Sequence, residues 1–460
     1  MMIYSSLLFI YGFLPISLVI YYVCPQKLRE YALLFISLLF CAAWGVSFLL
    51  FIGAYCVINY AGCMITKKLK GRGKLAAIPC MVCILADLTA IFGFRAEFSA
   101  RFTDMLHLPK GFFPIGISFF TLSAIGMLYD VYRGRIKSDI NIVRFALYIV
   151  YFPRLIMGPV LRYDSFAKLI AKRKTGLFFI GRGLAVFVKG LAKKVIAADS
   201  LYMLYTAVKS VDTDNMAALT AWLGVIAYIL CLYFTLSGYA DMGMGISCCF
   251  GMKLPQSFNY PLFSSRIRGF VSKWNTQVVL WFRRYFLNPI ASFSENKMYK
   301  RAVFAAAWAM IGLWYTFSAD GLIWGAVTAA AILVENRLIA KKTQNFTGIF
   351  YTVIFAVIGG VFFSSSNVKE AFRYLLAMLG GGGVFADQLS FYLLKSYIVL
   401  ILISIYASTN LFRNMLARAE RTKARIAIEL ISPMISLLLL MLCTAFISYE
   451  GSSQMILIRL

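Results

Sequence analysis

The sequence predicts an all-α membrane protein that crosses the bilayer many times. Of its 460 residues, 61% are hydrophobic and 14% are charged, whereas charged residues make up about 25% of an ordinary soluble domain. The apolar residues are gathered in runs that approach the roughly 20 residues a helix needs to cross a bilayer. Short basic clusters separate these runs, as they do in the cytoplasmic loops of membrane proteins.

The net charge first suggests a different class of protein. Lysine and arginine number 46 against 19 aspartates and glutamates, which gives a formal net charge of +27, and such a charge can indicate nucleic-acid binding. The basic residues are concentrated at residues 67–74, 168–174 and 413–425, between apolar runs. This is the positive-inside pattern, so we expect the lipid bilayer, and no nucleic acid, as a partner.

The apolar runs are predicted to form the helices. In chain order they are residues 3–23, 31–43, 46–65, 75–94, 113–131, 142–160, 177–204, 216–236, 301–317, 322–333, 350–363, 391–405 and 426–447. Because several are shorter than a full span, we expect roughly ten or eleven membrane elements, some of them re-entrant. The first run lacks the basic start and the cleavage site of a signal peptide, so we expect a retained span. Residues 1–460 are predicted to form a single membrane domain.

A hairpin and a loop are expected between the first apolar runs. Residues 31–65 are too long for one span and too short for two full ones. Because Trp44 and Gly45 interrupt them, a tight hairpin is expected there. Residues 95–110 are predicted to form an external loop. This loop carries His107, the only histidine of the chain, which we interpret as a solvated loop residue.

The run at residues 142–160 is predicted to be broken or re-entrant. Pro153 and Pro159 interrupt it, and proline removes a backbone donor and disrupts a helix. Arg154 and Arg162 lie at the two breaks, and we expect both side chains to extend to the membrane interface, with direct substrate contact as the alternative.

The next long run, residues 177–204, carries Lys189, Lys193 and Lys194 on one helical face. This pattern predicts an amphipathic or partly interfacial helix. A second, short amphipathic helix is expected at residues 372–376, before a glycine-rich turn.

The ten cysteines lie mostly inside apolar runs, where buried thiols are the ordinary interpretation. Cys80 and Cys83 have the spacing of a metal-binding pair, but neither a second pair nor a nearby histidine accompanies them. We therefore predict no metal site and no disulfide framework.

Residues 233–290 combine polar and charged groups between apolar runs, and such groups in a membrane protein need a partner or a wet cavity. We expect a polar helix end at residues 237–241, a loop at 253–261 and a basic segment at 266–273. Asp241 is costly at membrane depth unless it is paired, and the basic segment supplies the nearest cations in the sequence. A loop-clamping salt bridge and a substrate site both remain open at this point.

Several motifs then resemble one family. They are residues 113–120 (FPIGISFF), 129–134 (YDVYRG), 152–163 (FPRLIMGPVLRY), 237–242 (SGYADM), 254–261 (LPQSFNYP) and 312–314 (GLW). In this order they are similar to motifs of the membrane-bound O-acyltransferases, and within them of the alginate O-acetyltransferase-like branch, which acetylates exported bacterial polysaccharides. The resemblance runs along most of the chain.

The resemblance implies a helical funnel in a bacterial cytoplasmic membrane, where a cytoplasmic acyl donor meets an exported polysaccharide. The donor would be acetyl-CoA or an acyl-carrier thioester, used as a substrate with no bound cofactor. A partner outside the cell, similar to an acetyltransferase or esterase, would complete delivery. The residues expected to line the funnel are Ser237, Tyr239, Asp241, Trp274, Arg283 and Trp314.

The resemblance also implies two histidines, one after the tryptophan of an Arg-Trp-His motif and one, the expected general base, after Gly-Leu-Trp. In this sequence those positions hold Asn275 and Tyr315. Asparagine has no titrating proton, and a tyrosine with a reference pKa of about 10 costs on the order of 4 kcal/mol to deprotonate at neutral pH. Asp320 is the nearest acid that could assist Tyr315; its alternative role is to cap the helix that begins near residue 322.

Three hypotheses follow for the function. The first is a divergent O-acyltransferase in which Tyr315, with help from Asp320, replaces the histidine. The second is a catalytically inactive relative, a scaffold or channel that binds a donor, a lipid or an extracellular partner, since a fold does not establish a function. A transporter is what hydropathy alone indicates, and the series of motifs disfavours it.

Overall fold

The computed structural model describes residues 2–70, 73–95, 99–109, 112–136, 139–338, 346–365, 367–419, 421–422 and 424–450. Every regular element in these residues is helical. Within this part of the chain, helices that are long and apolar enough to cross a membrane are Val46–Lys68, Ala77–Arg95, Ala218–Cys249, Thr347–Ser364, Gln388–Ala407 and Arg425–Tyr449. The prediction of an all-α polytopic membrane protein is confirmed, whereas the funnel and the number of membrane elements stay predictions.

Most helices of the first half of the chain lie in the predicted apolar runs. The helices of this half are α1 (Leu14–Val23), α2 (Arg29–Ala42), α3 (Val46–Lys68), α4 (Ala77–Arg95), α5 (Ser99–Met105), α6 (Ile117–Tyr132), α7 (Ile142–Val150), α8 (Phe152–Leu155), α9 (Tyr163–Ala171), α10 (Leu177–Ala192) and α11 (Ser200–Lys209). Of these, α5 and α9 lie outside the predicted runs. π-helical turns at Leu8–Phe13 and Lys193–Asp199 extend α1 and join α10 to α11.

The second half begins with the longest helix. Its helices are α12 (Ala218–Cys249), α13 (Ile267–Lys273), α14 (Thr276–Phe282), α15 (Asn288–Ala291), α16 (Lys297–Thr316), α17 (Ala319–Leu338), α18 (Phe346–Ser364), α19 (Val368–Met378), α20 (Gln388–Ala407), α21 (Leu411–Ala419) and α22 (Ala424–Glu450). A π-helical turn, Arg283–Leu287, connects α14 to α15.

Two predicted interruptions are confirmed. Gly45 separates α2 from α3 with a φ of 112°, a conformation that costs glycine little and other residues much more. The broken helix is also present, because α7 ends at Val150 and α8 begins at Phe152, one residue before Pro153.

The predicted polar helix end at residues 237–241 is wrong. Helix α12 continues through these residues and ends at Cys249. The helix continues through these polar residues because neighbouring elements bury their side chains. Ser237 and Tyr239 are both almost fully buried. The external loop predicted at residues 95–110 also needs correction, since it contains α5.

Two basic side chains that were expected to reach the interface are buried instead. Arg154 is 7% exposed and Lys194 is 2% exposed. Lys194 forms a buried ion pair with Asp199, five residues along the same π-helical turn. The carboxylate of Asp199 compensates for the loss of hydration of the Lys194 ammonium group. Lys189 is exposed as predicted, so only part of the expected basic face exists.

The described chain folds as two compact units, and each is made of three segments. Unit 1 comprises Met1–Phe187, Tyr239–Gln256 and Leu280–Phe293, and unit 2 comprises Val188–Gly238, Ser257–Val279 and Ser294–Leu460. The prediction of a single membrane domain stays a prediction.

An aromatic cluster forms the core of unit 1. The rings of Phe9 and Phe40 lie 6.0 Å apart between centroids, and Phe152 approaches Phe40 to 5.6 Å. The hydroxyl of Tyr4 donates to the backbone carbonyl of Phe152, so the start of α8 is held by the N-terminal segment. Burial of such rings is a large source of stability.

In unit 2, helices α16 and α17 pack as a close antiparallel hairpin. A β-carbon added at Gly312 would lie 1.9 Å from the carbonyl oxygen of Gly321, so only glycine allows the two backbones to approach this closely. This hairpin fixes the end of α16, where Trp314 and Tyr315 lie.

Candidate functional site

Unit 2 contains a cavity of about 380 Å³. Its wall is largely aromatic and includes the rings of Tyr202, Tyr205, Tyr228, Trp274, Trp308 and Trp324. Among the residues that the structure describes, all those lining the cavity are uncharged. The size and the apolar wall are typical of a site for a small organic ligand.

The polar groups of the cavity differ in what they contact. The hydroxyl of Tyr205 donates to the carbonyl oxygen of Ser364 at 3.2 Å, and that of Tyr228 donates to the carbonyl oxygen of Phe363 at 3.1 Å. The indole N–H of Trp324 is buried and has no hydrogen-bond partner in the described chain. No feature of the sequence singled out this N–H group.

Trp274 and Asn275 are held between two short helices. The ring of Trp274 packs against Phe258 and Phe270, with centroids 5.9 and 5.6 Å away. Asn275 is buried and has a φ of 48°, a left-handed conformation that asparagine and histidine adopt more readily than most residues. Its carbonyl oxygen accepts from the N–H of Val278 at 3.0 Å and so begins α14.

The predicted loop at residues 253–261 supports this pair. The N–H of Asn259 donates to the carbonyl oxygen of Lys273 at 3.1 Å, and the N–H of Thr276 donates to that of Ser257 at 2.8 Å. These two bonds fix the backbone on both sides of Asn275.

Tyr315 lines the cavity, and its buried hydroxyl faces the side chain of Asn275. The contact is looser than a hydrogen bond of ordinary geometry. The two residues at the positions of the implied histidines thus lie side by side, although they are 40 positions apart in the sequence. An amide and a phenol can both donate hydrogen bonds, but neither takes up a proton at neutral pH.

Two further predicted residues near Tyr315 have different surroundings. Trp314 is buried with its ring 5.1 Å from that of Tyr315, but it does not line the cavity. Asp320 is exposed in the first turn of α17 and does not line the cavity either. Its position fits the alternative role, since an acid is favourable in the first turn of a helix.

Ser237 lies on α12 in unit 2, where it is 1% exposed and its hydroxyl has no partner among the described residues. Its neighbour Leu236 contributes to the cavity wall, whereas Ser237 does not. Ser237 is therefore close in sequence to the cavity but is not part of its wall.

The remaining predicted residues belong to unit 1. The hydroxyl of Tyr239 shares a hydrogen bond of 3.1 Å with that of Ser5. Asp241 is 8% exposed. Arg283 is exposed at the start of a π-helical turn. His107 is exposed next to α5 in the same unit, whereas the cavity wall belongs to unit 2.

A charged cluster in unit 1 was missed by the reasoning from sequence. The buried carboxylate of Asp130 accepts from Arg135 at 3.0 Å, from Arg162 at 3.2 Å and from the hydroxyl of Tyr285 at 2.8 Å. Asp130 and Arg162 lie in two of the family-like motifs, and this was the only signal of their pairing. The cluster joins three segments that are far apart in the chain.

These observations lead to a comparison with known proteins. The profile of the membrane-bound O-acyltransferase family matches residues 104–366, which is more than half of the chain. The chain belongs to this family. All of the motifs that suggested the resemblance from residue 113 onwards lie inside the matched region.

This O-acyltransferase family member has relatives with named activities. The chain is 32% identical to a probable alginate O-acetylase of Pseudomonas syringae pv. tomato over 89% of its own length and 82% of the relative. It is 30% identical to a probable alginate O-acetylase of Pseudomonas aeruginosa over 83% of its length and 75% of the relative. With a peptidoglycan O-acetyltransferase of Helicobacter pylori it shares 26% identity, over 85% of its length and 82% of the relative.

Proposed function

We propose that the protein takes part in O-acyl transfer, of an acetyl group, from a cytoplasmic thioester donor to an exported cell-surface polysaccharide, and that the cavity of unit 2 binds the acyl group. The observation that carries this proposal is the placement of Asn275 beside Tyr315 at the wall of an uncharged cavity. The names of the relatives, alginate O-acetylase and peptidoglycan O-acetyltransferase, support the class of reaction and acceptor.

The site offers hydrogen-bond donors to the acyl carbonyl. In the reaction, the acceptor hydroxyl attacks the thioester carbonyl carbon, the carbon–sulfur bond breaks, and the proton leaves with the thiol. The hydroxyl of Tyr315, the amide of Asn275 and the indole N–H of Trp324 are the polar groups able to stabilise the developing oxyanion. No group of the described wall serves as a base at neutral pH, so we expect slow turnover.

The setting of the reaction is part of the same proposal and is supported by the family resemblance. As a multi-pass membrane protein, the chain is proposed to lie in a bacterial cytoplasmic membrane. Acetyl-CoA or an acyl-carrier thioester is proposed as the donor. An acetyltransferase-like or esterase-like protein outside the cell is proposed as the partner that completes delivery to the polysaccharide.

A second candidate function is non-catalytic binding of the acyl donor. It is favoured by one observation: an amide and a phenol occupy the positions of the implied histidines. A cavity that keeps an apolar wall but has no proton acceptor can hold an acyl group without transferring it.

Reconstitution separates the two candidates. The purified protein in liposomes is given radiolabelled acetyl-CoA and an exported polysaccharide, and both donor binding and label transfer are measured. Transfer above that of empty liposomes supports the first candidate. Saturable binding without transfer supports the second, and failure to bind any thioester donor would contradict both.

A further inference from the structure

Helix α19 of unit 2 has apolar side chains on two of its faces. The inner face is buried and consists of Ala371, Tyr374, Ala377 and Met378. The outer face is exposed and consists of Val368, Phe372, Leu376 and Leu379, which follow each other at the three- and four-residue spacing of one helical face. We refer to these four outer residues as the apolar strip. Leu379, directly after the helix, is 83% exposed.

Hydrogen bonds to α12 hold the inner face of α19 in place. The hydroxyl of Tyr374 donates to the carbonyl oxygen of Ala221 at 2.8 Å. The indole N–H of Trp222 donates to the carbonyl oxygen of Met378 at 3.1 Å. Because both bonds involve the inner side of the helix, they keep the apolar strip facing outward.

The ends of three long apolar helices place α19 relative to a membrane. Helix α18 ends at Ser364 shortly before α19, α20 begins at Gln388 shortly after it, and α12 begins at Ala218. Each of the three is long and apolar enough to cross a membrane. The N–H of Ala218 donates to the carbonyl oxygen of Val384 at 3.2 Å, which joins the start of α12 to the segment between α19 and α20. Helix α19 therefore lies where three spans reach the bilayer surface.

The apolar strip continues an exposed apolar side of α18. Phe350, Ile354 and Ile358 are exposed at four-residue intervals along α18, and Phe362 follows at the same interval. On a helix that crosses a membrane, exposed apolar side chains of this kind face lipid. The ring of Phe362 contacts that of Phe372 with centroids 5.9 Å apart. The apolar surface thus passes directly from α18 to α19.

Charged side chains beside the strip are paired with one another. Glu370 forms an ion pair with Lys209, and Arg373 forms one with Asp214 at 3.5 Å. A strongly charged partner is recognised by a surface with an excess of one sign of charge. Bilayer hydrocarbon instead requires an apolar helix face at the boundary between headgroups and acyl chains. The pairing of charges and the position of α19 both favour lipid.

We propose that α19 lies in the bilayer interface and that the apolar strip inserts among the phospholipid acyl chains of the leaflet at the C-terminal end of α18. The partner is the hydrocarbon of the lipid, whatever the charge of its headgroup. Phe363 and Ser364, at the end of α18, line the cavity of unit 2, so the insertion would hold one end of the cavity at the membrane surface. The proposal does not depend on the acyl-transfer function.

The test uses the full-length protein in phosphatidylcholine nanodiscs, with a nitroxide spin label at Leu379→Cys. Collisions of the label with oxygen, which concentrates in hydrocarbon, and with a water-soluble nickel chelate are measured. Ile354→Cys on α18 is the hydrocarbon reference, and Asn215→Cys, exposed in a polar 3₁₀ turn, is the water reference. The ten native cysteines are buried or half-buried, and the unsubstituted protein treated with the same label gives the background.

The ratio of oxygen to nickel collisions at Leu379→Cys should exceed that at Asn215→Cys by about tenfold and approach that at Ile354→Cys. A ratio equal to that at Asn215→Cys would place the strip in water and overturn the proposal. Low collision rates with both reagents would show that protein, such as a second copy of the chain, covers the strip, and would overturn it as well.

A change of headgroup tests the chemistry of the partner. Nanodiscs that contain anionic phosphatidylglycerol should give the same ratio at Leu379→Cys, because the acyl chains are unchanged in their apolar character. A ratio that rises above the water reference only with the anionic lipid would show recognition of headgroup charge, and the assignment to hydrocarbon would then be wrong.

Discussion

In unit 1, the carboxylate of Asp130 accepts hydrogen bonds from Arg135, Arg162 and Tyr285, whereas the cavity of unit 2 has only uncharged residues in its described wall. Both regions contain residues of the family motifs. In the first, charges fix three distant segments of chain to one another. In the second, the polar groups of a largely apolar wall, such as the hydroxyl of Tyr315, do not titrate near neutral pH.

The comparison distinguishes residues that hold the O-acyltransferase fold together from residues that line its cavity. Removing a partner from a buried charge cluster leaves an unbalanced charge and destabilises the protein. At the proposed acyl site, exchanging asparagine and tyrosine for histidine would supply a proton acceptor. The following experiments test the charged cluster and the cavity separately.

The largest effect is expected from restoring histidines in the cavity. Asn275→His combined with Tyr315→His should raise acyl transfer by about 10²–10⁴-fold, the range that a positioned general base contributes. The left-handed backbone at residue 275 tolerates histidine. Transfer of label from acetyl-CoA is the measurement, and Asn275→Gln with Tyr315→Phe is the control. A double histidine variant that binds donor and stays inactive would show that the cavity is not a catalytic site.

The next effect concerns the charged cluster. Asp130→Asn should lower the free energy of unfolding by about 3 kcal/mol, because Arg135 loses its carboxylate partner and Arg162 keeps only Asp164. Chemical denaturation in detergent measures it. Asp139→Asn is the control, since its pair with Lys67 at 2.7 Å is exposed and exposed pairs contribute little. Equal stability of the two variants would refute a structural role for the Asp130 cluster.

A smaller effect is expected from filling the cavity. Gly359 lines it, and a β-carbon there would lie 2.9 Å from the indole nitrogen of Trp324. Gly359→Leu should weaken binding of the acyl donor about tenfold by occupying apolar volume, and it should lower Tm because the Trp324 ring must shift to admit the new side chain. Gly53→Leu, at a position where a β-carbon meets no atom within 4 Å, should bind donor normally. Normal binding by both variants would place the acyl group elsewhere.

The smallest effect is expected from Tyr315→Phe. The change removes the hydroxyl that faces Asn275 and should alter stability by about 1 kcal/mol. If Tyr315 only donates a hydrogen bond, any transfer activity should fall by less than about tenfold. A complete loss of a measurable activity would instead identify Tyr315 as the proton acceptor, which a radiolabel transfer assay can distinguish.

The sequence was sufficient to predict the helices and their interruptions, because apolar length, glycine and proline act locally. The break at Gly45 and the division between α7 and α8 are examples. Residues 237–241 were misjudged because polarity was taken as a helix end, although a polar residue continues a helix when neighbouring elements bury it. Such burial depends on distant segments.

The site was predictable only in part, and for a related reason. Motif resemblance identified positions 275 and 315, which the structure places together, but it did not indicate that Asp320 is exposed or that Trp324 has a free N–H. The partners of Asp130 and the burial of Arg154 depend on tertiary structure. The sequence contains no local pattern that distinguishes a buried arginine from an exposed one.

The close hairpin of α16 and α17 has an evolutionary consequence. With Gly312 pressed against the backbone at Gly321, residue 315 is held in a rigid setting whatever its side chain. Codons for tyrosine and for asparagine each differ from a histidine codon by a single base. Under the proposed function, one base change at each position would therefore exchange a group that does not titrate near neutral pH for a proton acceptor, while the hairpin stays unchanged.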